Sequence, residues 1–325
     1  MLTSEVADYF NMNMGDDPYW SDSSWFSWAI PERNINGFFY THFRPNMNCL
    51  LSGPAMWDPS GQHAWEFLYY DWQLMKPLPS GKYGIDYNKY DFEAPCTTSV
   101  RMLEPLKRYR LGYNRNNFKL DLVFEAVAAP HPVGERSEGG LEHAFRLHFE
   151  QPGHITGTVE LDGETYRVDC YSIRDGSHGR RHLETVMTGG YTWSTADDKT
   201  GWHVLAVDKD NSRDTQVVAG YGYLLRDGHM APITKGVRRV LERTGPRPSV
   251  VEVVAEDADG RTLHALGREQ TPAEVILFPD HGQWWTLYKW DYDGFTDAVG
   301  EDQEYYSLDT FRRWHRAGPA SWKTR

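Results

Sequence analysis

The sequence has few cysteines, and their spacing excludes several classes of protein. Only Cys49, Cys96 and Cys170 occur among the 325 residues. They do not form the C-x-x-C pair that marks zinc ribbons and thioredoxin-like redox sites. An odd number of widely separated thiols is typical of unbridged side chains in a reducing compartment. We therefore expect buried structural cysteines and no disulfide scaffold.

Long apolar runs are also missing. No stretch approaches the roughly 18 uncharged apolar residues that a membrane-spanning helix needs. The first ten residues, Met1 to Phe10, lack the basic start and the apolar stretch of a secretory signal peptide. The sequence therefore predicts no membrane span and a cytoplasmic location.

Positive charge is scarce. The 34 Lys and Arg residues are outnumbered by 46 Asp and Glu residues, which gives a formal net charge of −12. General binding to phosphate backbones requires clustered cations, so nucleic acid is not expected as a partner. The expected partner is a hydrophobic small molecule, bound by a monomer or a homodimer.

The common catalytic motifs are absent as well. There is no G-x-x-x-x-G-K-[ST] phosphate loop, no H-E-x-x-H and no G-x-S-x-G. Gly220-Tyr221-Gly222 lies near no candidate βαβ unit, which leaves a dinucleotide site unsupported. These absences exclude the nucleotide, zinc-peptidase and α/β-hydrolase classes.

Aromatic residues are abundant. The chain has 13 Trp, 19 Tyr and 14 Phe, together 14% of its residues. Large rings favour β-strands, well-packed cores and apolar binding cavities. The composition therefore directs the search towards a β protein with an aromatic-rich cavity.

Alternation of apolar and polar residues predicts strands through both halves of the chain. Phe118 to Phe124 alternates with period two, and Asp162-Gly163 is a hairpin signal between two β-rich runs. Residues 1–36 are expected to be irregular, with strands beginning after Gly37. Further expected strands are Phe38–Arg44, Ala64–Trp72, Phe145–Glu150, Trp202–Val207, Ser249–Ala255, Thr262–Leu266 and Trp284–Trp290, while Pro130 to Gly140 is expected to be a loop.

The pattern predicts a mainly β fold in two parts. Many short strands with frequent turns are typical of antiparallel sandwiches or barrels. Only Leu308 to Trp314 suggests a helix, with Ser307 as its N-cap. The length favours two domains, with a boundary that gives residues 1–185 and 186–325.

The segment from Tyr171 to His182 concentrates acidic, imidazole and guanidinium groups. Asp175 can donate a proton if burial raises its pKa, or it can orient His178. Arg174 or Arg181 can hold a carbonyl or a carboxylate. The alternative interpretation is an Arg–Asp network with a purely structural role.

A metal site in this segment is disfavoured. His178 and His182 would share a face only on a helix, and the glycine-containing context argues against a helix. Glu184 could add a carboxylate, but the segment offers no further ligand to complete a site.

A second cluster, from Trp290 to Tyr306, sets acidic residues among aromatics. The order of an EF-hand loop is missing, so calcium binding is not supported. Glu301 and its neighbour Asp302 would point to opposite faces of a strand, so only one would reach a cavity. The alternative interpretation is a solvated acidic turn.

A third cluster, from Tyr19 to Trp28, contains three tryptophans. Trp20 and Trp25 would close the mouth of a barrel or simply fill a core. Asp22 lies among these rings and is a candidate for a raised pKa.

These segments resemble the AttH and carotenoid 1,2-hydratase superfamily, above all its bacterial members of unassigned function. Trp20 to Trp25 and the run ending at Arg44-Pro45-Asn46 are similar to the family's W-x-E-S-[WY] start and R-P-N strand end, with Asp22 where Glu is usual. Arg174 to Arg181 resembles R-D-[HR]-S-W-G-x-R, with two departures, Gly176 and His178. Gly294 to Glu301 resembles the closing G-x-G-x-E segment.

The resemblance implies two lipocalin-like, antiparallel β-barrel domains in tandem. It also implies an apolar substrate of terpenoid, steroid or polyketide type, reactions that add water to isolated double bonds or cyclise the substrate, and no metal or organic cofactor. Because His178 replaces Trp, an imidazole is gained at this position. We therefore expect Asp175 and His178 to work as a pair.

The resulting hypothesis is an acid/base enzyme, a hydratase or dehydratase or else an isomerase or cyclase. The candidate catalytic residues are Asp175, His178, Glu301 and Asp22. The candidate substrate-binding residues are Trp20, Trp25, Arg44, Tyr70, Trp72, Arg174 and Arg181. The alternative is a non-catalytic carrier of an apolar ligand, as other lipocalin-like barrels are.

Overall fold

The computed structural model describes residues 16–72, 75–78, 91–94, 97–133, 147–181, 188–208, 214–278 and 281–317. The chain falls into two compact units. The first comprises Met1–Trp57, Phe67–Glu135 and Leu141–His182, and the second comprises Asp58–Glu66, Arg136–Gly140 and Leu183–Arg325. Each unit is built on one large antiparallel sheet. The predicted mainly β, lipocalin-like fold is confirmed, whereas a boundary at residue 185 stays a prediction.

The sheet of the first unit has the strand order β4-β3-β2-β1-β12-β11-β9-β8-β7-β6, with β10 paired to β11 and β5 paired to β3. Its strands are β1 (Trp20–Ile30), β2 (Ile35–Arg44), β3 (Cys49–Trp57), β4 (Tyr69–Tyr70), β5 (Met75–Pro77), β6 (Asp91–Glu93), β7 (Ser99–Glu104), β8 (Arg108–Arg115), β9 (Phe118–Ala126), β10 (His131–Val133), β11 (Leu147–Leu161) and β12 (Glu164–Arg180).

This sheet curls until strands far apart in its order touch. The ring of Phe43 on β2 lies 5.1 Å from that of Phe92 on β6, and Tyr69 on β4 stacks on Phe118 of β9 at 4.2 Å. Phe26 of β1 packs edge-on against Phe124 of β9 at 5.5 Å. We call the side that these rings fill the concave face and the opposite side the convex face.

The first strand was not expected from the sequence. Residues 1–36 were predicted to be irregular, but Trp20–Ile30 forms β1, which pairs with both β2 and β12. Every residue of β1 is buried. A strand covered on both faces has no alternation of apolar and polar residues, so the period-two criterion could not detect it.

Other predicted strands were confirmed or corrected. The expected strands at Phe38–Arg44, Phe118 to Phe124 and the hairpin at Asp162-Gly163 are present. Asp162 and Gly163 have φ values of 52° and 83°, as a tight hairpin requires. The strand expected over Ala64–Trp72 is wrong, because a 3-10 turn (Ala64–Glu66) precedes a two-residue β4. The expected loop after Pro130 contains the short β10.

The sheet of the second unit has the order β13-β21-β20-β19-β18-β17-β15-β14-β16, with further pairing of β13 to β14 and β17 to β16. Its strands are β13 (Thr188–Asp197), β14 (Thr200–Asp208), β15 (Asp214–Val217), β16 (Tyr223–Arg226), β17 (His229–Thr244), β18 (Arg247–Asp257), β19 (Thr262–Phe278), β20 (His281–Tyr292) and β21 (Phe295–Ser307). Helix α1 (Leu308–Ala317) follows β21.

The core of the second unit is aromatic and aliphatic. Trp202 packs edge-on against Trp290 at 4.9 Å, and Tyr288 stacks on Trp290 at 5.4 Å. Fourteen buried residues form this cluster, which fills one face of the sheet with the unit's own side chains.

The predicted C-terminal helix is confirmed together with its cap. The Thr310 backbone N–H donates to Ser307 Oγ at 3.1 Å, the contact expected of an N-cap. Among the helices within the described ranges, none has the length and hydrophobicity that crossing a membrane requires.

Candidate functional site

The signature segment on β12 presents alternate residues to opposite faces of the first sheet. Arg174, Gly176 and His178 point to the concave face, and Asp175 and Ser177 point to the convex face. The expected working pair of Asp175 and His178 is therefore wrong, because residues three apart in a strand cannot share a face.

Asp175 lies in a cluster of acidic and imidazole groups on the convex face. Glu150 is its direct cross-strand partner on β11, and His148 lies one pair further along the same strand. His148 Nε2 donates a hydrogen bond to Glu150 Oε1 at 2.6 Å. One polar atom from each of Asp175, Glu150 and His148 lies within 4.8 Å of the others. We call these three residues the acid cluster.

Burial favours the neutral forms of Asp175 and His148. Burial raises the pKa of Asp175 to about 7, and the Glu150 charge adds to the rise while His148 and Arg181 oppose it. Burial lowers the pKa of His148 to about 4, with Asp175 acting in the opposite direction. Oδ1 of Asp175 is inaccessible and has no hydrogen-bond partner within the described part of the chain. The Asp175 carboxyl is therefore about half protonated near neutral pH.

An aromatic row continues from Asp175 across the convex face. Trp25 on β1 is the direct cross-strand partner of Asp175, and Tyr40 on β2 is the partner of Trp25. Trp72 stacks on Tyr40 with ring centroids 5.1 Å apart. Tyr70 belongs to β4, beside Ala55 on the same side of the sheet. Indole and phenol faces thus lie next to a protonated carboxyl.

Two arginines border the convex face. Arg181 follows β12, and its charge contributes to the pKa values of Asp175, His148 and His42. Arg44 donates to the Tyr19 carbonyl oxygen at 2.6 Å, and burial lowers its pKa to about 10, with Arg181 adding to the fall. Arg44 therefore stays cationic near neutral pH.

His42 completes the polar part of the convex face. Its Nε2 lies 2.6 Å from Ser21 Oγ. Burial lowers the pKa of His42 well below its ordinary value, and the charges of Arg44 and Arg181 lower it further. The imidazole is therefore neutral in this setting.

The acid cluster also has the composition of a metal site. One imidazole and two carboxylates are a donor set that binds divalent cations. However, Arg181 lies close enough to lower the pKa of both His148 and Asp175. This positive charge beside the three residues opposes the binding of a further cation. His182 and Glu184, considered above as ligands, lie outside the described residues.

On the concave face, His178 pairs with Asp22. His178 Nδ1 donates to Asp22 Oδ1 at 2.7 Å, and Trp20 Nε1 donates to Asp22 Oδ2 at 3.3 Å. Both partners are at least 95% buried. We call Asp22 and His178 the imidazole dyad. It joins two positions at which the sequence departs from the family pattern.

Arg174 is committed to packing in the same concave interior. Its Nε donates to Gln151 Oε1 at 2.7 Å and its Nη2 donates to the Tyr109 hydroxyl at 2.9 Å. The guanidinium also lies over the Tyr109 ring at 4.0 Å. Arg174 therefore neither braces Asp175 nor faces the acid cluster.

Glu301 belongs to the second unit and is fully buried. Its Oε2 accepts hydrogen bonds from Trp285 Nε1 at 2.8 Å, Gln303 Nε2 at 2.7 Å and Trp193 Nε1 at 3.4 Å. Three N–H donors thus converge on this one carboxylate oxygen. Asp302 points to the other face of β21, as predicted. The alternative of a solvated acidic turn is wrong for these residues, since both are buried within a strand.

Asp302 takes part in a separate, fully paired network. Arg238 donates from Nε and Nη2 to the two oxygens of Asp302 at 2.8 and 2.6 Å. Arg243 donates from Nη1 and Nη2 to the two oxygens of Glu304, both at 2.9 Å. We call these four residues the arginine network.

A family model for a domain of unknown function, DUF7064, matches residues 5–291. The chain belongs to this family. A comparison with curated protein sequences finds no match.

Solved structures with the same fold confirm the resemblance to the AttH and carotenoid-hydratase superfamily. The AttH candidate NE1406 from Nitrosomonas europaea is 13% identical, with a TM-score of 0.59 over 94% of this chain and 99% of that chain. Kievitone hydratase from Nectria haematococca is 11% identical, with a TM-score of 0.52 over 94% and 95%. CghA in complex with Sch210972 is 9% identical, with a TM-score of 0.56 over 94% and 96%. Likeness at such low identity shows the fold alone.

Sequence reasoning missed four residues of the convex face of this DUF7064 family member, His148, Glu150, Tyr40 and His42. A signal existed for two of them. His148 and Glu150 are two apart in a segment with strand alternation, so they had to share a face. That this face would also carry Asp175 depends on the pairing of β11 with β12, which the sequence does not reveal.

Proposed function

We propose that the protein is a cofactor-independent acid/base enzyme that acts on a hydrophobic small molecule with an isolated double bond. Hydration or its reverse is the favoured reaction, with isomerisation or cyclisation through the same cationic intermediate as its variant. The observation that carries the proposal is the acid cluster. Its Asp175 has a pKa of about 7 and its Oδ1 has no hydrogen-bond partner within the described residues.

The chemistry follows from the protonated carboxyl. The Asp175 O–H transfers its proton to one alkene carbon, the π electrons form the new C–H bond, and positive charge develops on the other carbon. Water then attacks that carbon through its oxygen and loses a proton to the Asp175 carboxylate. A pKa near the working pH suits a group that must both give and regain a proton.

The aromatic row supplies the stabilisation that a cation requires. Trp25 is directly opposite Asp175, and Tyr40 and Trp72 extend the row. The negative face of a ring attracts a cation by about 0.5–2 kcal/mol, with the larger values in dry surroundings. Arg44 and Arg181 would hold an oxygen-bearing end of the substrate.

The fold likeness is compatible with this chemistry, since one of the similar structures is a hydratase by name. A carrier with its ligand inside a sheet receives less support. Phe26, Tyr109 and Phe124 pack against one another on the concave face of the first unit, and fourteen buried residues that include Trp202 and Trp290 form the core of the second.

The test is incubation of the purified protein with a panel of terpenoids, steroids and unsaturated polyketides, followed by chromatography with mass detection. A product that differs by one water, or an isomer, is expected, and it should incorporate ¹⁸O from labelled water when hydration occurs. Asp175→Asn should reduce turnover by about 10²–10⁴-fold.

Asp169→Asn is the matched control, because Asp169 lies on the same strand but is exposed and bonded to His154. Its turnover should equal that of the unmodified protein. Equal turnover in the Asp175→Asn protein, or ligands that bind but return unchanged across the panel, would contradict the proposal. The second result would support the carrier alternative.

A further inference from the structure

An exposed tryptophan lies on the second unit, in the segment Asp58–Glu66. The side chain of Trp65 is 81% exposed, more than any other large apolar side chain of the described residues. The other tryptophans whose side chains the structure describes are buried. An indole has an apolar body and a polar N–H, and it is enriched where a protein meets another protein or a membrane. Trp65 is therefore a candidate contact for a partner.

Three contacts connect Trp65 to helix α1. Its ring stacks on His63 with the centroids 4.6 Å apart. His63 Nδ1 lies 3.7 Å from Glu274 Oε2 on β19, and Glu274 Oε1 lies 3.4 Å from His315 Nε2 on α1. The Glu274 backbone N–H donates to the Gln62 carbonyl oxygen, which holds the segment against β19. Trp65 and α1 are therefore neighbours on the surface of the second unit.

Helix α1 is cationic, although the chain as a whole is anionic. Arg312, Arg313 and Arg316 stand against a single acid within the helix, Asp309, while the formal net charge of the chain is −12. Arg313 donates a hydrogen bond to Asp309, and Arg312 Nη2 lies 3.9 Å from the same carboxylate. Because one carboxylate cannot balance three guanidiniums, the helix keeps an excess of positive charge.

The exposed cations lie beside the contact with β19. Arg312, His315 and Arg316 have the i, i+3, i+4 spacing of residues that share one helix face, and all three are exposed. His315 on this face contacts Glu274. Ile276, two residues further along β19, points to the same side of the sheet as Glu274 and is 55% exposed. The name Trp–Arg surface denotes Trp65, Ile276, Arg312 and Arg316.

Charge and polarity favour an anionic bilayer as the partner of the Trp–Arg surface. Indoles are enriched at the headgroup level of membranes, and cations close to that level attract anionic lipids. A bilayer accommodates a single protruding ring, whereas a protein partner needs a shaped apolar contact. Nucleic acid requires cations on many phosphates, more than one short helix supplies.

The acidic remainder of the chain does not prevent this contact, and it sets the orientation. Charges farther than about 8 Å from the lipid are largely screened at physiological salt. The charges that lie near the lipid decide the interaction, so an anionic surface repels acidic parts of the chain and attracts the arginines of α1.

We propose that the Trp–Arg surface docks the protein reversibly on anionic lipid bilayers. The Trp65 ring enters the headgroup level with Ile276 beside it, and Arg312 and Arg316 bind lipid phosphates. One apolar contact and a few cations together give weak, reversible attachment. The docking involves no residue of the acid cluster, so its failure and the failure of the proposed reaction are distinguishable.

The test is flotation of the full-length protein with vesicles of equimolar phosphatidylcholine and phosphatidylglycerol, compared with vesicles of phosphatidylcholine alone. The protein should float with the anionic vesicles at low salt and remain below the neutral ones. It should be released from the anionic vesicles at about 1 M salt, where the Debye length falls to about 3 Å.

Variants separate the local charge from the total charge. Arg312→Gln combined with Arg316→Gln should weaken binding to anionic vesicles about 10- to 30-fold, because each cation near such a surface contributes about fivefold. Arg33→Gln combined with Arg167→Gln is the matched control. It changes the net charge by the same amount at exposed positions of the first unit and should leave binding nearly unchanged.

Insertion of the indole has a readout of its own. Lipids brominated on their acyl chains quench the fluorescence of tryptophans that reach them. Such anionic vesicles should quench part of the fluorescence of the unmodified protein. Trp65→Phe should reduce that quenching and keep most of the binding, because phenylalanine retains an apolar ring.

Three results would overturn the proposal. The first is the absence of flotation with anionic vesicles at low salt; if the protein then self-associates through Trp65, the Trp–Arg surface is a contact between copies of the chain. The second is an equal effect of the two double arginine variants. The third is quenching that Trp65→Phe leaves unchanged. The comparison of lipids and salt uses the unmodified protein, so it decides the proposal even if a variant fails to fold.

Discussion

Both units bury carboxylates within β-sheets, but they compensate the charge differently. In the second unit, Asp302 and Glu304 each accept two hydrogen bonds from an arginine. Although burial alone would raise it, Arg243 and Arg238 hold the pKa of Glu304 below its ordinary value. In the first unit, burial dominates and the pKa of Asp175 rises to about 7.

The difference separates a structural carboxylate from a reactive one. A carboxylate with a bidentate arginine is locked as an anion and contributes to the fold through its geometry. A carboxyl whose pKa is raised by burial keeps its proton and can transfer that proton to a substrate. The comparison therefore identifies Asp175, and not the more numerous acids of β21, as the group to test for chemistry.

The largest change in stability is expected for the arginine network, in which each buried carboxylate is paired with an arginine. Arg238→Met leaves Asp302 buried without its cation, which should lower the free energy of unfolding by about 3–5 kcal/mol. Chemical denaturation measures this change. Arg268→Met is the control, because Arg268 and Asp291 form an exposed pair at 2.7 Å, and such a pair contributes at most about 1 kcal/mol. Similar losses in the two variants would refute the distinction.

The second prediction removes both partners. Arg238→Met combined with Asp302→Leu eliminates the buried charges together, while Arg243 continues to bind Glu304. The double variant should recover most of the stability and remain within about 2 kcal/mol of the unmodified protein. Denaturant midpoints of the single and double variants check this. A double variant as unstable as Arg238→Met would show that shape, and not charge, is what the network supplies.

A smaller change in stability is expected for Asp175, which has no arginine bound to it in the way that Asp302 and Glu304 have. Asp175→Asn replaces a neutral carboxyl by a neutral amide of the same shape, so at pH 4, where little of the pH-dependent cost of Asp175 has yet arisen, the free energy of unfolding should change by less than about 1 kcal/mol. The same denaturation experiment measures it. A loss comparable to that of Arg238→Met would mean that Asp175 is a structural anion after all.

The last prediction concerns pH. Because the folded protein holds the Asp175 proton up to about pH 7, whereas an unfolded Asp loses it near pH 4, this group reduces stability as pH rises from 4 to 7. His148 acts oppositely, because its folded pKa of about 4 lies below the ordinary 6.5, so its contribution to stability grows as pH rises from about 4 to 6.5.

The two trends oppose each other and can be separated by mutation. Melting temperatures of Asp175→Asn should rise more steeply with pH between 4 and 6.5 than those of the unmodified protein. Those of His148→Gln should fall more steeply over pH 4 to 7. Parallel curves for all three proteins would show that neither residue titrates as described.

The strands that the sequence revealed are those with one polar face. Apolar and polar residues alternate from Phe118 to Phe124 because Lys119 and Asp121 face solvent. The Asp162-Gly163 pair is recognisable as a hairpin turn because its residue types suit the positive φ values found there. Ser307 indicated the start of helix α1, because its side chain accepts a local hydrogen bond from the Thr310 backbone N–H. Such features depend on near neighbours in the sequence, and so the fold class was predictable.

The candidate site was predictable only in part, because it is formed by strands that lie far apart in the sequence. Asp175 and Trp25 were both proposed, but nothing in the sequence indicated that β1 pairs with β12 across 150 residues of chain. β1 itself was missed because Ser, Asp and Trp alternate there without a solvent-facing side. The Asp22–His178 contact depends on the same pairing, so the partner assigned to His178 was wrong.

The alternation along β12 has a consequence for how this protein can diverge. Each of the two clusters takes one residue from this strand, Asp175 in the acid cluster and His178 in the imidazole dyad, and the two side chains lie on opposite faces of the sheet. The two clusters can therefore change separately within a short stretch of one strand. Insertion or deletion of one residue there would exchange the two sets of side chains, so within this family we expect the stretch to vary in composition and to keep its length.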